Sequence, residues 1–385
     1  MMLKKLILTV LLLTILSFIL WHFTYRSYDR NLDRVYLTID SKSLKKLNKF
    51  RDIATEKGVL QRSKNDFVNV NVQYLDDSCS GKIRLKGDWV DHLKENKWSF
   101  RVKLNTKLSD GLSTFSLQNP STRGYLDGYV YQKLLQKNGI LSNEIRFVEV
   151  FLNKKSWGVY ILEEHLSQRM MSSQNKPAGI ILKFDDSEYF QIASKKESTV
   201  GLIKKAKIKT YGLSNDSSQI EWAKKILLNY QFQVDDLYSN FDSKATGLYY
   251  ALCDLTVAYH AMGWINLRFY YNFRTEKMEL IGYDAYPAID WGKPYLGAEL
   301  ESFQERKFDA KSIIYSALKD SSIKHEYYKA LNQITDSLYI QEFFDEEIEL
   351  LNYYETQIQT ENYFYSYDKN VIFDNARAIR SKLPH

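Results

Sequence analysis

Apolar and polar residues alternate one by one through several short stretches in the first half of the chain. Through 67–74, Val70, Val72 and Tyr74 are separated by polar residues, which is the period of a half-buried strand. Residues 82–85 and 98–104 alternate likewise. In the second of these, Lys97, Ser99, Arg101 and Lys103 share one face, opposite Trp98, Phe100, Val102 and Leu104. Residues 146–152 and 157–162 read as two strands joined by the turn Asn153-Lys154-Lys155, and 163–171 as a helix after them. A further strand pair is expected within 178–212, around Ile180 to Lys183. Helical spacing appears at 41–54, with Leu44, Leu47 and Phe50 on one side, and at 125–137, where Asn138-Gly139 forms the stop. Helices are also expected over 217–230 and 244–262, and through most of the chain beyond 302. Strands concentrated early and helices late, with no internal repeat, predict an α+β chain with a sheet-rich part followed by a helical part.

The N-terminus follows a different pattern. Lys4 and Lys5 precede a run from Leu6 to Tyr25 that lacks any residue charged at neutral pH. Twenty helical residues span about 30 Å, the hydrocarbon thickness of a bilayer. A cleavable signal ends in small residues, whereas this run ends in Ile19-Leu20-Trp21-His22-Phe23. The pattern predicts a short cytoplasmic N-terminus at 1–5 and an uncleaved signal anchor at 6–25. The bulk of the chain is then extracytoplasmic on a single-pass cell-membrane protein, with a cleaved signal as the alternative.

Composition adds little to this division. The chain is 44% hydrophobic and 26% charged, an ordinary globular balance. Its 29 tyrosines and 20 phenylalanines suit a sheet-rich core. A formal charge of +6 is mild, and the lysines between 195 and 209 read as a solvated face. No nucleic-acid motif accompanies them. Cys79 lies in a polar turn and Cys253 in an apolar helical run, so no disulfide framework is expected.

Candidate chemistry begins at Asn266 and Asp284. They flank a strand, a short hairpin and a second strand, so the two ends come together and an amide oxygen and a carboxylate can share one hard cation. Both residue types are equally at home in turns. The sequence contains no Gly-x-Ser-x-Gly, His-Glu-x-x-His or Gly-x-x-x-x-Gly-Lys-Ser/Thr. Four blocks in order carry more weight. They are Ile83-Arg84-Leu85-Lys86-Gly87-Asp88-Trp89 with Lys97 to Leu104, then Phe115 to Gln118, then Phe147 to Asn153 with Gly158 to His165, and finally Asn266 with Asp284.

This order resembles the spore coat protein H (CotH) kinase-like family, distant relatives of protein kinases, over roughly 35–300. The resemblance implies a two-lobed, atypical kinase-like fold at 30–300, a sheet-rich N-lobe and a helical C-lobe, with 301–385 a helical extension of the same body. It implies ATP and Mg2+ as cofactors, Asn266 and Asp284 as the metal pair, and Glu164 as the acid that pairs with a phosphate-binding cation. Glu163 has the same chemistry. Lys97, Arg101 and Lys103 are the candidates for that cation. Active relatives carry an aspartate just before the metal-binding Asn. Here 260–265 holds no carboxylate, and His260 is the residue able to accept a proton near neutral pH. The second acid of the family's metal block is replaced by Tyr286, with Asp290 the next acid. Two functions follow: a membrane-anchored kinase acting on a protein or surface polymer, or an inactive kinase-like module organising envelope, coat or polysaccharide assembly through binding.

Overall fold

The computed structural model describes residues 11–17, 31–63, 65–94, 97–211, 216–234, 236–285 and 316–383. Seven strands form a closed barrel: β1 (Arg34–Thr38), β2 (Val68–Tyr74), β3 (Asp77–Leu85), β4 (Phe100–Leu104), β5 (Thr114–Gln118), β6 (Ile145–Leu152) and β7 (Lys155–Glu164). Around the barrel the order is β1-β2-β3-β4-β5-β7-β6, and the parallel β1–β6 pair closes it. Alternation decides which side chains go where. Ile83, Leu85, Phe100, Val102, Phe115, Leu117, Tyr160 and Leu162 fill the interior. Helix α1 (Ser41–Lys57) packs on the barrel through Leu47 and Ala54.

Arg84, Arg101, Ser116 and Glu163 are in register across β3, β4, β5 and β7. They form a polar row on the outer face. That row requires β7 to extend through Glu164. The helix expected over 163–171 is instead the single short α3 (Gln168–Ser173).

A second sheet, ordered β11-β10-β8-β9, comprises β8 (Gly179–Phe184), β9 (Ile208–Tyr211), β10 (Phe269–Asn272) and β11 (Lys277–Leu280). The helices are α2 (Leu126–Lys137), α4 (Ser187–Ser194), α5 (Ser217–Phe232), α6 (Ser243–Thr256), α7 (Ser321–Ile334), α8 (Ser337–Gln359) and α9 (Asn370–Arg380). One core unites this sheet, these helices and the apolar outer face of β6 and β7, through residues such as Phe147, Ile161, Leu182, Leu252 and Tyr327. Five helices open on an Asp-Ser dipeptide whose aspartate accepts backbone N–H bonds: Asp40, Asp216, Asp242, Asp320 and Asp336. The helix expected over 244–262 breaks at Val257, at φ 54°, and resumes as a 3-10 turn, Tyr259–Met262.

The chain is thus α+β with a sheet-rich and a helical part. The sheet-rich part is a closed seven-stranded barrel, where the family resemblance implied a kinase-like N-lobe. Closure removes both sheet edges and leaves the outer face of β3–β7 to build a site. Among the described residues no helix is long and apolar enough to cross a membrane. The span expected at 6–25 lies mostly outside them; 11–17 are helical with exposed side chains.

Candidate functional site

Arg84 and Arg101 of the polar row on the barrel, with Lys86 and Lys103, form one wall of a cavity of about 240 Å³, and β8, β9 and the segments flanking the β10–β11 hairpin form the others. At its base Lys86 Nζ lies 3.0 Å from Glu163 Oε1, with both side chains at most 8% exposed. Glu163 also accepts from Gln118 Nε2 at 2.5 Å and from Arg123 Nε at 3.4 Å. Burial pushes the Lys86 ammonium down to about 7; Glu163 opposes this, while Arg123 and Arg101 add to it. For Glu163 burial acts upward, but Lys86, Arg123 and Arg101 outweigh it and hold the carboxyl below its ordinary range.

Arg123 links this pair to the second element of the site. It ends a 3-10 turn (Pro120–Arg123) and is 4% exposed. Its Nη1 lies 2.8 Å from Asp284 Oδ1. Burial would raise the Asp284 pKa, yet Arg123 first, then His260, Lys86 and His92, hold it well below the carboxylate range. Asp284 has φ 49°, a left-handed conformation that aspartate tolerates. Its Oδ1 is buried and accepts no well-directed hydrogen bond. Asn266 donates from Nδ2 to the His260 carbonyl at 3.0 Å, which leaves its amide oxygen for another partner. Antiparallel pairing of Phe269 with Leu280 brings the two flanks together, and Asn266 and Asp284 line the cavity jointly.

These donors fit Mg2+ in one way only. Among the described residues no three His, Cys, Asp or Glu side chains converge as a metal cage. One carboxylate and one amide oxygen suit a cation that keeps waters and takes its remaining ligands from phosphate.

The other walls are cationic. Among the described residues, eight lysines and arginines and three aspartates line the cavity. Lys183 pairs with Asp186 at 2.9 Å, and Arg62 with Asp88. Burial, then Arg268, pushes Lys183 down to about 8. Among the described residues Arg84, Arg101, Lys103 and Arg268 have no carboxylate within ion-pair distance. Arg268 stacks over Tyr283 at 4.2 Å and donates to two backbone carbonyls. Arg101 is different: it is 7% exposed, and its Nε and Nη1 are buried without a hydrogen-bond partner. His165 Nδ1 is likewise buried and unbonded, and burial followed by the Arg101 charge keeps its ring neutral. Buried donors without acceptors are costly, so an acceptor-bearing anion beside Arg101 would be stabilised. His92, pushed down to about 3 by burial and then Arg123, contacts Ser99 Oγ at 3.2 Å.

Of the sequence candidates, Arg101, Lys103, Asn266 and Asp284 line this cavity. Lys97 does not. Its ammonium pairs with Glu361 beyond α8 and lies over the Tyr160 ring. Glu164 points the other way from Glu163, because adjacent strand residues face opposite sides, and it pairs with Arg169 at 2.7 Å. The cation–acid pair at the cavity is therefore Lys86, on its lining, with Glu163 behind it, and the pairing expected for Glu164 is not formed there. His260 is exposed and lies in an adjoining cavity that also reaches Asn266 and Asp284. Tyr286 and Asp290 lie outside the described residues. Sequence reasoning overlooks Lys86, Arg123 and Lys183. Lys86 sits one residue past the end of β3, where alternation no longer identifies its side.

No curated protein matches the chain. A model of a family described as CotH kinase protein matches residues 83–371, from β3 into α9, and so spans the barrel wall, the metal-type pair and the C-terminal helices. With most of its length matched, the chain belongs to the CotH kinase protein family.

Proposed function

We propose that this protein binds ATP with Mg2+ and transfers phosphate to a hydroxyl of a protein or cell-surface polymer, as an exported protein anchored by residues 6–25. The observation that carries the reading is the junction of two chemistries in one cavity: the Asn266–Asp284 oxygens, and the Arg101 guanidinium whose Nε and Nη1 have no hydrogen-bond partner. A polyphosphate extended between them meets a cation-binding pair and a surplus of fixed positive charge. Lys86, held by Glu163, and Arg123, held by Glu163 and Asp284, are oriented before any ligand arrives. Such preorganised charge is what phosphoryl transfer demands. Magnesium, when bound, would offset charge on the terminal phosphates. His260 lines the neighbouring cavity and, in this reading, accepts the proton of an incoming hydroxyl.

A second reading is a kinase-like binding module without turnover. It is favoured by the lack of any carboxylate in 260–265.

Calorimetry of the full chain with ATP, with and without Mg2+, tests the proposal. Magnesium-dependent binding is expected. Asp284→Asn should remove the magnesium dependence, Arg101→Met should weaken binding, and Lys97→Met should leave it unchanged. Absence of ATP binding, or equal binding by Asp284→Asn, would refute it. If turnover is found, His260→Ala should lower it by about 10²–10⁴; binding without turnover on any acceptor leaves the module.

A further inference from the structure

The second cavity, about 400 Å³, shares Asp88, His92, Arg123, Asn266 and Asp284 with the cationic one but has walls of another kind. Trp89 is 41% exposed. Phe190 braces its ring edge-on at 5.8 Å, and Tyr189 in turn braces Phe190 at 5.2 Å. A backbone bridge to Val59 holds the Trp89 main chain. Two residues on, Asp91 Oδ1 is buried and accepts no hydrogen bond. His260 lies in the same cavity. The site therefore offers an open aromatic face braced by Phe190, the Asp91 carboxylate on its lining, and the imidazole beside the Asn266–Asp284 pair.

Resting on the kinase reading above, we propose that this cavity is the acceptor site and that it takes a neutral sugar residue of a polysaccharide. A pyranose presents polarised C–H bonds on one face, which suit the negative face of an indole ring, and a rim of hydroxyl donors, which Asp91 lacks. Charge favours a neutral ligand here. Among the described residues, three aspartates against Lys94 and Arg123 leave none of the cationic surplus of the first cavity. A peptide acceptor held by strand addition needs a free sheet edge. Among the described residues none lining this cavity belongs to a strand; the walls include two 3-10 turns, Val90–Leu93 and Pro120–Arg123. In the transfer step, one sugar hydroxyl oxygen bonds to the terminal phosphorus of ATP. The bond from that phosphorus to its bridging oxygen breaks, ADP leaves with the electron pair, and His260 takes the hydroxyl proton.

The test measures binding of neutral oligosaccharides to the full chain without nucleotide, by calorimetry. A panel of maltoheptaose, cellohexaose and triacetylchitotriose covers hexoses and N-acetylhexosamines. At least one is expected to bind, and Trp89→Ala should weaken it about tenfold or more, with Trp89→Phe restoring part of the loss and ATP affinity unchanged in both. Binding of none, or equal binding by Trp89→Ala, overturns the proposal. So does loss of ATP affinity in Trp89→Ala, which would place the nucleobase on this ring. Trp89-dependent phosphorylation of a serine peptide in preference to the sugars would also overturn it. Sugar binding that persists in a chain unable to bind ATP would refute the kinase reading while leaving this cavity a sugar site.

Discussion

Lys86 is the residue on which the electrostatics of the site turn. Its ammonium loses water on burial and faces Arg123 and Arg101, so its pKa falls from 10.5 to about 7 in spite of Glu163. The unfolded chain therefore carries a proton between pH 7 and 10.5 that the folded chain releases. Stability contributed through this group rises with pH across that window and is at its lowest below it. Glu163 and Asp284 give a dependence of the same sign, at lower pH. Both are held low in the fold, so their contribution is present above the ordinary carboxylate range and is lost as the pH falls through it. A polyphosphate entering the cavity should restore the Lys86 proton. Binding at pH 8 is expected to take up protons, measurable by calorimetry in buffers of different ionisation enthalpy. Lys183, pushed down to about 8, contributes to the uptake. Lys86→Met should reduce that uptake, and an unchanged value would show that Lys86 remains neutral beside the ligand. Removing Glu163 alone should be severe, since one partner of a buried pair is then uncompensated, at a cost of about 3–5 kcal/mol.

Among the elements, the crossing of α6 and α7 sets how closely the C-terminal helices approach. Gly247 is its contact point: a Cβ there would stand 2.6 Å from the Tyr327 backbone nitrogen and 2.9 Å from the Glu326 carbonyl carbon. Backbone cannot swing aside as a side-chain end can. Glycine to alanine inside a helix ordinarily gains about 1 kcal/mol, whereas forcing packed elements apart costs about 1–3 kcal/mol. The second effect should win. Gly247→Ala is expected to lower the denaturant midpoint, and a raised midpoint would mean that the helices separate freely. The hairpin of β10 and β11 carries the functional counterpart of this argument. Its antiparallel register, with Phe269 opposite Leu280, places Asn266 and Asp284 at the same end.

For the whole molecule, the C-terminal helices are part of the fold that supports the site. Asp254, fully buried on α6, accepts from Tyr259 Oη at 2.5 Å and from Tyr327 on α7. Asn375 on α9 donates to the Leu255 carbonyl at 2.9 Å. Glu361, just beyond α8, accepts the Val159 backbone N–H of the barrel at 2.8 Å and pairs with Lys97. Deleting 316–385 would strip Asp254 of one partner and uncover the apolar face of α6. The truncated chain is expected to lose its cooperative thermal transition. A sharp transition in residues 1–315 would show that the barrel and second sheet stand alone.

Sequence alone carries the local structure here. Alternation locates the strands, Asp-Ser pairs mark the starts of five helices, and the hairpin between Asn266 and Asp284 announces that its flanks meet. Those are properties of single elements, written within a few residues. Which of two neighbouring glutamates enters the cavity is not, because the answer depends on whether β7 ends before or after Glu163, and one residue reverses the face. Lys86 finds Glu163 77 residues away, and Lys97 finds Glu361 264 residues away. Both lysines lie just outside strand ends, where periodicity stops giving direction. Barrel closure, the Lys86–Glu163–Arg123–Asp284 chain of charges and the unpartnered Arg101 were decided by how distant elements register against one another. No local pattern encodes that register.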